Sequence, residues 1–191
     1  MIFIAVAPRG LIHINVHSIF RGKKNICSIC NAVQMSAPEM RVFNDFDEIK
    51  AAAGTEVGAS GWVEITQKRI NQFAEATGDD QWIHVDVERA KRESPTHTTI
   101  AHGLFTLSLI PEFVRDVMGL KGIKNTLNYG ANRVRYLSPV PAGSRLRARV
   151  KIVATEDSPN NGLRVTYGIT IEREGGDRPA CIAEVMAIHY C

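Results

Sequence analysis

An acidic residue and a histidine five positions apart form the first candidate for chemistry in this chain. Asp79 and His84 stand in the string GDDQWIH at residues 78–84. An uninterrupted helix does not bring this spacing onto one face, but a turn after Gly78 can fold both side chains toward one point. They would then form an acid–base pair, in which one group activates a water and the other gives or takes the second proton. Taken alone, the spacing fits a helix cap and a surface loop with a hydrogen-bonded histidine better.

The string IAHG at residues 100–103 is the second candidate, because it stands directly before the most apolar helical stretch. A helix N-terminus offers free backbone N–H groups and a partial positive charge. Gly103 leaves room for a substrate carbonyl to approach the backbone closely. These features suit an oxyanion-type site for a thioester or enolate oxygen. An alternative of equal weight is that Gly103 only permits tight packing between helix and sheet.

Cys27 and Cys30 form a CxxC pair, which is typical of half a zinc site or a redox pair. A zinc site needs two further ligands, for which only His13 and His17 lie nearby, and no βαβ pattern surrounds the pair. We therefore expect no metal or redox site here. The four cysteines of the chain suit a reducing cytoplasm.

Four other polar residues are interpreted as structural or solvated. We expect His97 on the surface in a loop, and His189 as a hydrogen-bonded structural residue in the last strand. Arg133 and Arg135 fall on one face of a strand and could meet coenzyme A phosphates. A solvated strand face is the favoured interpretation of these two arginines.

The elements that must position the candidate residues begin with a strand and a helix. Residues 60–65 predict a short strand. Thr66 can cap a helix over residues 67–77, which has apolar residues at spacings of three and four, and Gly78 can end it. The first candidate string therefore begins where this helix stops.

Two more helices follow. Asp86 can cap a helix over residues 87–92. Residues 104–118 predict the most apolar helix, which Pro111 should kink or divide in two. The apolar face predicted for it comprises Leu104, Leu107, Ser108, Pro111, Val114 and Met118. A helix of this kind is usually wrapped by other elements.

The last seventy residues alternate with a period of two, which is typical of strands. The predicted strands cover residues 126–136, 145–152, 163–171 and 181–190. Turn strings NNG and GGD separate the last three, as hairpins require. A buried helix followed by an antiparallel meander predicts an α+β domain in which the sheet wraps around the helix.

Composition excludes several classes of protein. The chain has 191 residues, 45% hydrophobic and 23% charged, and a domain of this size buries roughly 70% of its unfolded surface without disulfides or metals. No run of 18 apolar residues exists, so we expect no membrane span. Residues 1–34 hold four basic and no acidic side chains, and the rest holds 19 basic and 20 acidic ones. This nearly neutral body argues against nucleic-acid binding.

The basic segment 1–34 differs from the rest of the chain. We expect it to be an N-terminal extension, either a flexible leader or sequence upstream of a natural start at Met35 or Met40. The domain would then cover residues 35–191.

The two candidate strings together resemble the MaoC-like family of hydratases and dehydratases, also called (R)-specific enoyl-CoA hydratases, which have the hot-dog fold. The family motif runs Gly-Asp-x-Asn-Pro-aliphatic-His, and residues 78–84 keep its Asp and His but have Gln-Trp for Asn-Pro. A second family element, a helix that opens with His/Gln-Gly and carries Ser five residues later, is matched by His102, Gly103 and Ser108.

The Gln-Trp variant and two later strings, NYGANRVRY at 128–136 and PVP at 139–141, resemble the nodulation-protein-N-like branch of that family. The resemblance extends from about residue 43 to the C-terminus. We assign no chemistry to Gln81 or Trp82, and expect Trp82 to fill the core or a dimer interface.

The resemblance implies hydration of trans-2-enoyl thioesters to (R)-3-hydroxyacyl thioesters, or the reverse dehydration. Asp79 and His84 would be the catalytic pair, the Gly103 N–H would bind the thioester carbonyl, and Ser108 would line or polarise the acyl site. No cofactor and no metal are implied, because the thioester itself activates the α- and β-carbons.

The substrate would be carried on coenzyme A or acyl carrier protein, and family resemblance also implies a homodimer. Two alternatives stay open, a hot-dog acyl-CoA thioesterase and a non-catalytic module that binds acyl thioesters. The Asp-x4-His spacing favours the lyase over the thioesterase.

Overall fold

A computed structural model describes residues 40–191. The predicted extension 1–34 with its CxxC pair, and the predicted start of the domain at residue 35, lie outside the described residues. The helices are α1 (Phe46–Ala51), α2 (Gln67–Thr77), α3 (Trp82–Val85), α4 (Val87–Glu93), α5 (Gly103–Ser108) and α6 (Ile110–Val117). The strands are β1 (Arg41–Phe43), β2 (Glu56–Ala59), β3 (Val63–Glu64), β4 (Met118–Leu120), β5 (Asn125–Tyr136), β6 (Arg145–Ser158), β7 (Gly162–Arg173) and β8 (Cys181–Tyr190).

One antiparallel sheet dominates the fold, with strand order β2-β6-β7-β8-β5, and β3 also pairs with β6. The four strands predicted at the C-terminal end correspond to β5–β8. The prediction of a single strand over residues 60–65 is wrong, because β2 forms before this segment and the short β3 forms within it. The Ser60 hydroxyl accepts a hydrogen bond from the Ala148 N–H of β6, so a side chain replaces the backbone in the ladder at this point.

The hairpin between β6 and β7 has the predicted turn chemistry. Asn160 and Asn161 have φ angles of 62° and 55°. Two successive left-handed residues match the right-handed twist of the flanking strands. The tight turn pairs β6 with β7, whose register shifts once, between Ile152 and Ala154.

The helix before the first candidate string is also confirmed. Helix α2 spans the predicted residues, and the Thr66 side chain accepts a hydrogen bond from the Arg69 N–H at 3.3 Å. Gly78 ends it with φ of 76°. Helix α4 begins as predicted at an Asp86 cap and extends to Glu93.

Helices α5 and α6 form the buried helical layer. They meet at Leu109, and Pro111 lies in the first turn of α6, so the predicted junction between two helices is confirmed. The predicted apolar face is wrong, because Leu104 is 62% exposed and Ser108 is exposed as well. The buried face instead follows a four-residue spacing across the junction, through Phe105, Leu109, Phe113 and Val117.

The sheet covers this layer with the inner side of its strands. On β6 the apolar residues that alternate with arginines are fully buried, namely Leu146, Ala148, Val150 and Ile152. Burial of each larger one stabilises the fold by roughly 1.5–3 kcal/mol. The arginines face outward and pair with glutamates, and the two exposed pairs, of Arg145 and Arg149, contribute at most about 1 kcal/mol each. The α+β arrangement of an antiparallel sheet around a central helix is therefore confirmed.

None of the helices within residues 40–191 is both long and apolar enough to cross a membrane.

Candidate active site

The loop between α2 and α3 carries the acidic candidate, and α3 carries the histidine. Gly78 takes a left-handed conformation, so the chain leaves α2 and Asp79 starts the loop. His84 lies on the single turn of α3, where its backbone N–H donates to the Gln81 carbonyl at 2.9 Å. Trp82 on the same turn is half-buried under the Arg89 guanidinium, whose carbon lies 4.3 Å from the ring centre. Trp82 therefore does not fill the core, because the short helix directs it toward α4, and its expected place in a dimer interface stays a prediction.

Hydrogen bonds fix the tautomer of His84. Its Nδ1 lies 2.7 Å from the carbonyl oxygen of Ile100, and a carbonyl can only accept, so Nδ1 carries the proton. Nε2 is then an unprotonated acceptor. Burial lowers the pKa of His84 below its usual value, the neighbouring His102 acts in the same direction, and the Ile100 carbonyl and Asp79 oppose the change. His84 is therefore prepared to take a proton near neutral pH.

Gln67, the first residue of α2, ties the two candidate strings together. Its amide nitrogen donates to the His84 carbonyl at 2.8 Å, and its amide oxygen accepts a hydrogen bond from the Thr99 hydroxyl. The Ile100 N–H donates to the Ile83 carbonyl at 3.0 Å. These bonds hold α3 against residues 99–101, which lead directly into α5.

Asp79, His84 and His102 form one cluster. Each offers one side-chain atom, and these atoms all lie within 4.8 Å of one another. A water that hydrogen-bonds to two groups can bridge atoms up to roughly 5.5 Å apart. The structure therefore brings Asp79 and His84 close enough to share one water, with the Asp79 side chain exposed and the His84 ring buried.

A cavity of about 270 Å³ lies beside this cluster, and Asp79 is not among its lining residues. His84, Gly103, Thr106, Tyr136 and Ser138 contribute to its wall. The Gly103 N–H donates to no acceptor within the described residues, so it is free to bind a ligand oxygen. A Cβ at Gly103 would lie 2.9 Å from the Tyr136 ring, so glycine is also required for packing. Both interpretations of this glycine are compatible with the geometry.

Ser108 lies apart from the cavity. It is exposed at the C-terminal end of α5, and its hydroxyl donates to the Phe105 carbonyl at 2.7 Å. Together with Leu104 it forms an exposed stripe on the outside of the helix. Within a single chain, Ser108 does not meet His84 or Gly103 around the cavity.

The remaining candidates lie where the sequence predicts. His97 is exposed in its loop, and Arg133 and Arg135 lie on an exposed strand face. His189 is buried and bonded through both ring nitrogens, to Thr126 and to Tyr167. It is therefore a structural histidine, as expected.

The spacing of Asp79, His84 and His102 would also admit a metal ion. The His84 and His102 rings are stacked, however, with centroids 3.8 Å apart and planes inclined by 27°. Lone pairs in nearly parallel planes do not converge as tetrahedral coordination requires. The cluster fits acid–base chemistry better than metal ligation.

Sequence reasoning did not assign roles to His102 and Tyr136. His102 immediately precedes Gly103, so its neighbourhood was a signal that it enters the same site. Tyr136 gave no such signal, because it reaches Gly103 only through the packing of β5 against α5.

Comparisons with known proteins find relatives that match most of the described residues. The family described as "MaoC like domain" matches residues 48–172. The 3-hydroxyacyl-thioester dehydratase Z of Mycobacterium tuberculosis is 50% identical over 145 residues, covering 76% of this chain and 95% of that protein. Nodulation protein N of Rhizobium leguminosarum bv. viciae is 41% identical over 144 residues, covering 74% and 88%. The solved (R)-hydratase from A. caviae shares the fold at 21% identity, with a TM-score of 0.57 over 70% of this chain and 96% of that one.

Proposed function

We propose, from the premise that this chain belongs to the MaoC-like domain family and has its hot-dog fold, that it is a hydro-lyase. It adds water to trans-2-enoyl thioesters to give (R)-3-hydroxyacyl thioesters, or removes water in reverse. The observation that carries this proposal is that a ring nitrogen of His84 lies within 4.8 Å of an Asp79 carboxylate oxygen, and that His84 and Gly103 line the same cavity.

His84 and Asp79 divide the work on the water molecule. The Asp79 carboxylate accepts a hydrogen bond from one O–H of the water and so orients its oxygen. His84 Nε2 removes the proton of the other O–H as the water oxygen bonds to Cβ. The electron pair of the double bond moves toward the thioester carbonyl and gives an enolate. The pair of His84 and Asp79, which now holds the extra proton, gives it to Cα on the face of the double bond that the water attacked. The atoms of one water are thereby added.

Gly103 stabilises the enolate in this scheme. Its free N–H at the start of α5 donates to the thioester oxygen, on which negative charge develops. One donor of this kind contributes roughly 3 kcal/mol to transition-state stabilisation. The thioester activates its own α- and β-carbons, so the scheme needs no cofactor and no metal.

Pairing of two copies would complete the acyl site. Strand β5 lies at the edge of the sheet and is exposed along nearly its whole length, including Leu127 and Tyr129. Exposed edge strands are often covered by a partner. We therefore propose a homodimer joined through β5, in which Ser108 and Leu104 contact the acyl group or its cover. A sedimentation measurement that finds only monomer at micromolar concentration would contradict it.

The reaction is tested with crotonyl-CoA. Loss of enoyl absorbance without release of thiol is the expected result. Release of free thiol would instead identify a thioesterase. Parallel assays with enoyl groups of increasing length, on coenzyme A and on acyl carrier protein, identify the carrier and the chain preference.

The catalytic assignment is tested separately by Asp79→Asn and His84→Ala. Both variants should lose turnover and keep their fold. Unchanged function in both would indicate a module that only binds acyl thioesters. The cytoplasmic location that the cysteine pattern indicates stays a prediction.

A further inference from the structure

His102 lies in the candidate active site but has no part in the chemistry above. It occupies the N-cap position of α5 without a side-chain capping bond, and the residue is only 2% exposed. Two other rings pack against its ring, with centroids 3.8 Å away for His84 and 5.1 Å away for Phe73. This packing fixes the plane of the His102 ring. The role of the residue therefore depends on the hydrogen bonds of its two ring nitrogens.

One nitrogen of His102 holds the backbone of the acidic residue. Nε2 lies 2.8 Å from the Asp79 carbonyl oxygen, and because that oxygen can only accept, Nε2 carries the proton. The Asp79 N–H makes only a long contact of 3.5 Å to the Thr77 hydroxyl. Within the described residues, the bond from His102 is thus the shortest one that fixes residue 79 to the rest of the site.

The other nitrogen has no partner. Nδ1 of His102 is buried and forms no hydrogen bond with any described residue. A buried polar atom left without a partner destabilises the fold, so its retention calls for an explanation. The arrangement of the ring gives one: the orientation that leaves Nδ1 unpaired is also the one that directs the Nε2 proton at the Asp79 carbonyl.

We propose that His102 is a positioning residue for the water-activating pair, an inference that rests on the proposed hydro-lyase function. By donating to the Asp79 carbonyl and lying against the His84 ring, it sets the distance between carboxylate and imidazole at which one water bridges them. The titratable groups that face it are His84 of α3 and Asp79 of the preceding loop, and the Phe73 ring of α2 also packs against it.

Two substitutions that introduce the same amide group on side chains of different length distinguish this role from simple packing. In His102→Gln, the amide nitrogen can occupy the place of Nε2 and still donate to the Asp79 carbonyl. In His102→Asn, the amide nitrogen corresponds to Nδ1 and falls short. Both variants remove the ring, so loss of stacking is common to them. His97→Gln, at an exposed histidine, is the control.

We expect kcat for crotonyl-CoA hydration to fall about 100-fold in His102→Asn, because a misplacement of about 1 Å costs on that order. His102→Gln should stay within about tenfold of the unaltered protein, the cost of roughly one hydrogen bond or ring contact. KM should be unchanged in both, because neither touches the thioester. Thermal unfolding of both variants verifies that they are folded.

Equal kcat values in the Gln and Asn variants would overturn the inference, as would a change confined to KM. A measurement on the unaltered protein gives a test that needs no variant: nitrogen-15 spectra of the histidine rings should show His102 protonated at Nε2, and protonation at Nδ1 alone would overturn it. If the unaltered protein does not hydrate crotonyl-CoA or longer enoyl-CoAs, the proposed function itself fails. If it does so and the variants match it, only the role of His102 fails.

Discussion

Two buried histidine clusters in the described part of the chain use the same residue type in opposite ways. In the sheet, His189 receives or donates a hydrogen bond at each ring nitrogen, 2.7 Å from the Tyr167 hydroxyl and 2.8 Å from the Thr126 hydroxyl. In the candidate active site, Nδ1 of His102 has no partner and Nε2 of His84 has an unused lone pair. Burial is similar in both clusters. Residues of both clusters line a cavity, so unsatisfied hydrogen-bonding capacity, and neither burial nor a cavity, distinguishes the candidate active site.

The largest expected effect is on turnover in the reactive cluster. His84→Ala removes the base and should lower kcat by about 10²–10⁴-fold, or roughly 3–5 kcal/mol of transition-state stabilisation. Its free energy of unfolding should fall by about 1–3 kcal/mol, because the Ile100 carbonyl loses its donor. Steady-state kinetics and urea denaturation measure the two quantities. A large loss of stability with kcat preserved would reverse the assignment of the two clusters.

The structural cluster should respond in stability instead. Tyr167→Phe leaves Nε2 of the buried His189 without its partner, so the free energy of unfolding should fall by about 1–3 kcal/mol. We expect kcat to remain within roughly twofold. Tyr190→Phe, at a half-buried position next to His189, is the matched control, and should change stability by at most about 0.5 kcal/mol. If Tyr167→Phe lowers kcat strongly while stability is retained, the second cluster is catalytic too.

A smaller effect is expected in the dependence of stability on pH. Burial lowers the pKa of both His189 and His84 in the folded protein, so the unfolded chain takes up protons first as the pH falls. The free energy of unfolding should therefore be at its full value above about pH 6.5, the histidine pKa in the unfolded chain. Below that pH it should decline until the pH reaches the pKa values of the folded protein. His189→Gln should reduce this decline in melting temperature between pH 7.5 and 5. An unaltered slope in His189→Gln would show that this histidine does not titrate differently on unfolding.

The smallest effect concerns a hydroxyl outside both clusters. Ser108 already donates to the Phe105 carbonyl, so Ser108→Ala should leave kcat within roughly threefold. If a second copy covers the exposed stripe that Ser108 shares with Leu104, KM for longer acyl chains should rise. A loss of kcat comparable to that of His84→Ala would place Ser108 among the reacting groups.

The local elements of the site could be predicted from the sequence because short-range chemistry determines them. Thr66 and Gly78 bound α2 through a side-chain cap and a left-handed residue, and both effects depend on a few neighbouring positions. Asn160 and Asn161 define the hairpin in the same way. Alternation along β6 similarly identified the side of that strand which is buried.

Features that depend on tertiary contacts could not be predicted in this way. The exposure of Leu104 depends on how α5 rotates against the sheet, and its own helix pattern favoured the opposite side. The Tyr136 ring reaches Gly103 from a strand more than thirty positions along the chain. The bond between His102 and the Asp79 carbonyl joins a side chain to a backbone atom, which no residue pattern specifies.

The unpaired Nδ1 of His102 has a consequence for laboratory evolution. Selection for heat resistance alone should favour replacing this imidazole with an apolar ring such as phenylalanine, which removes the unmet nitrogen and keeps the packing against Phe73. The selected variants would have a higher melting temperature and a lower turnover. A library screened only for survival at high temperature would therefore accumulate clones of low activity at this one codon.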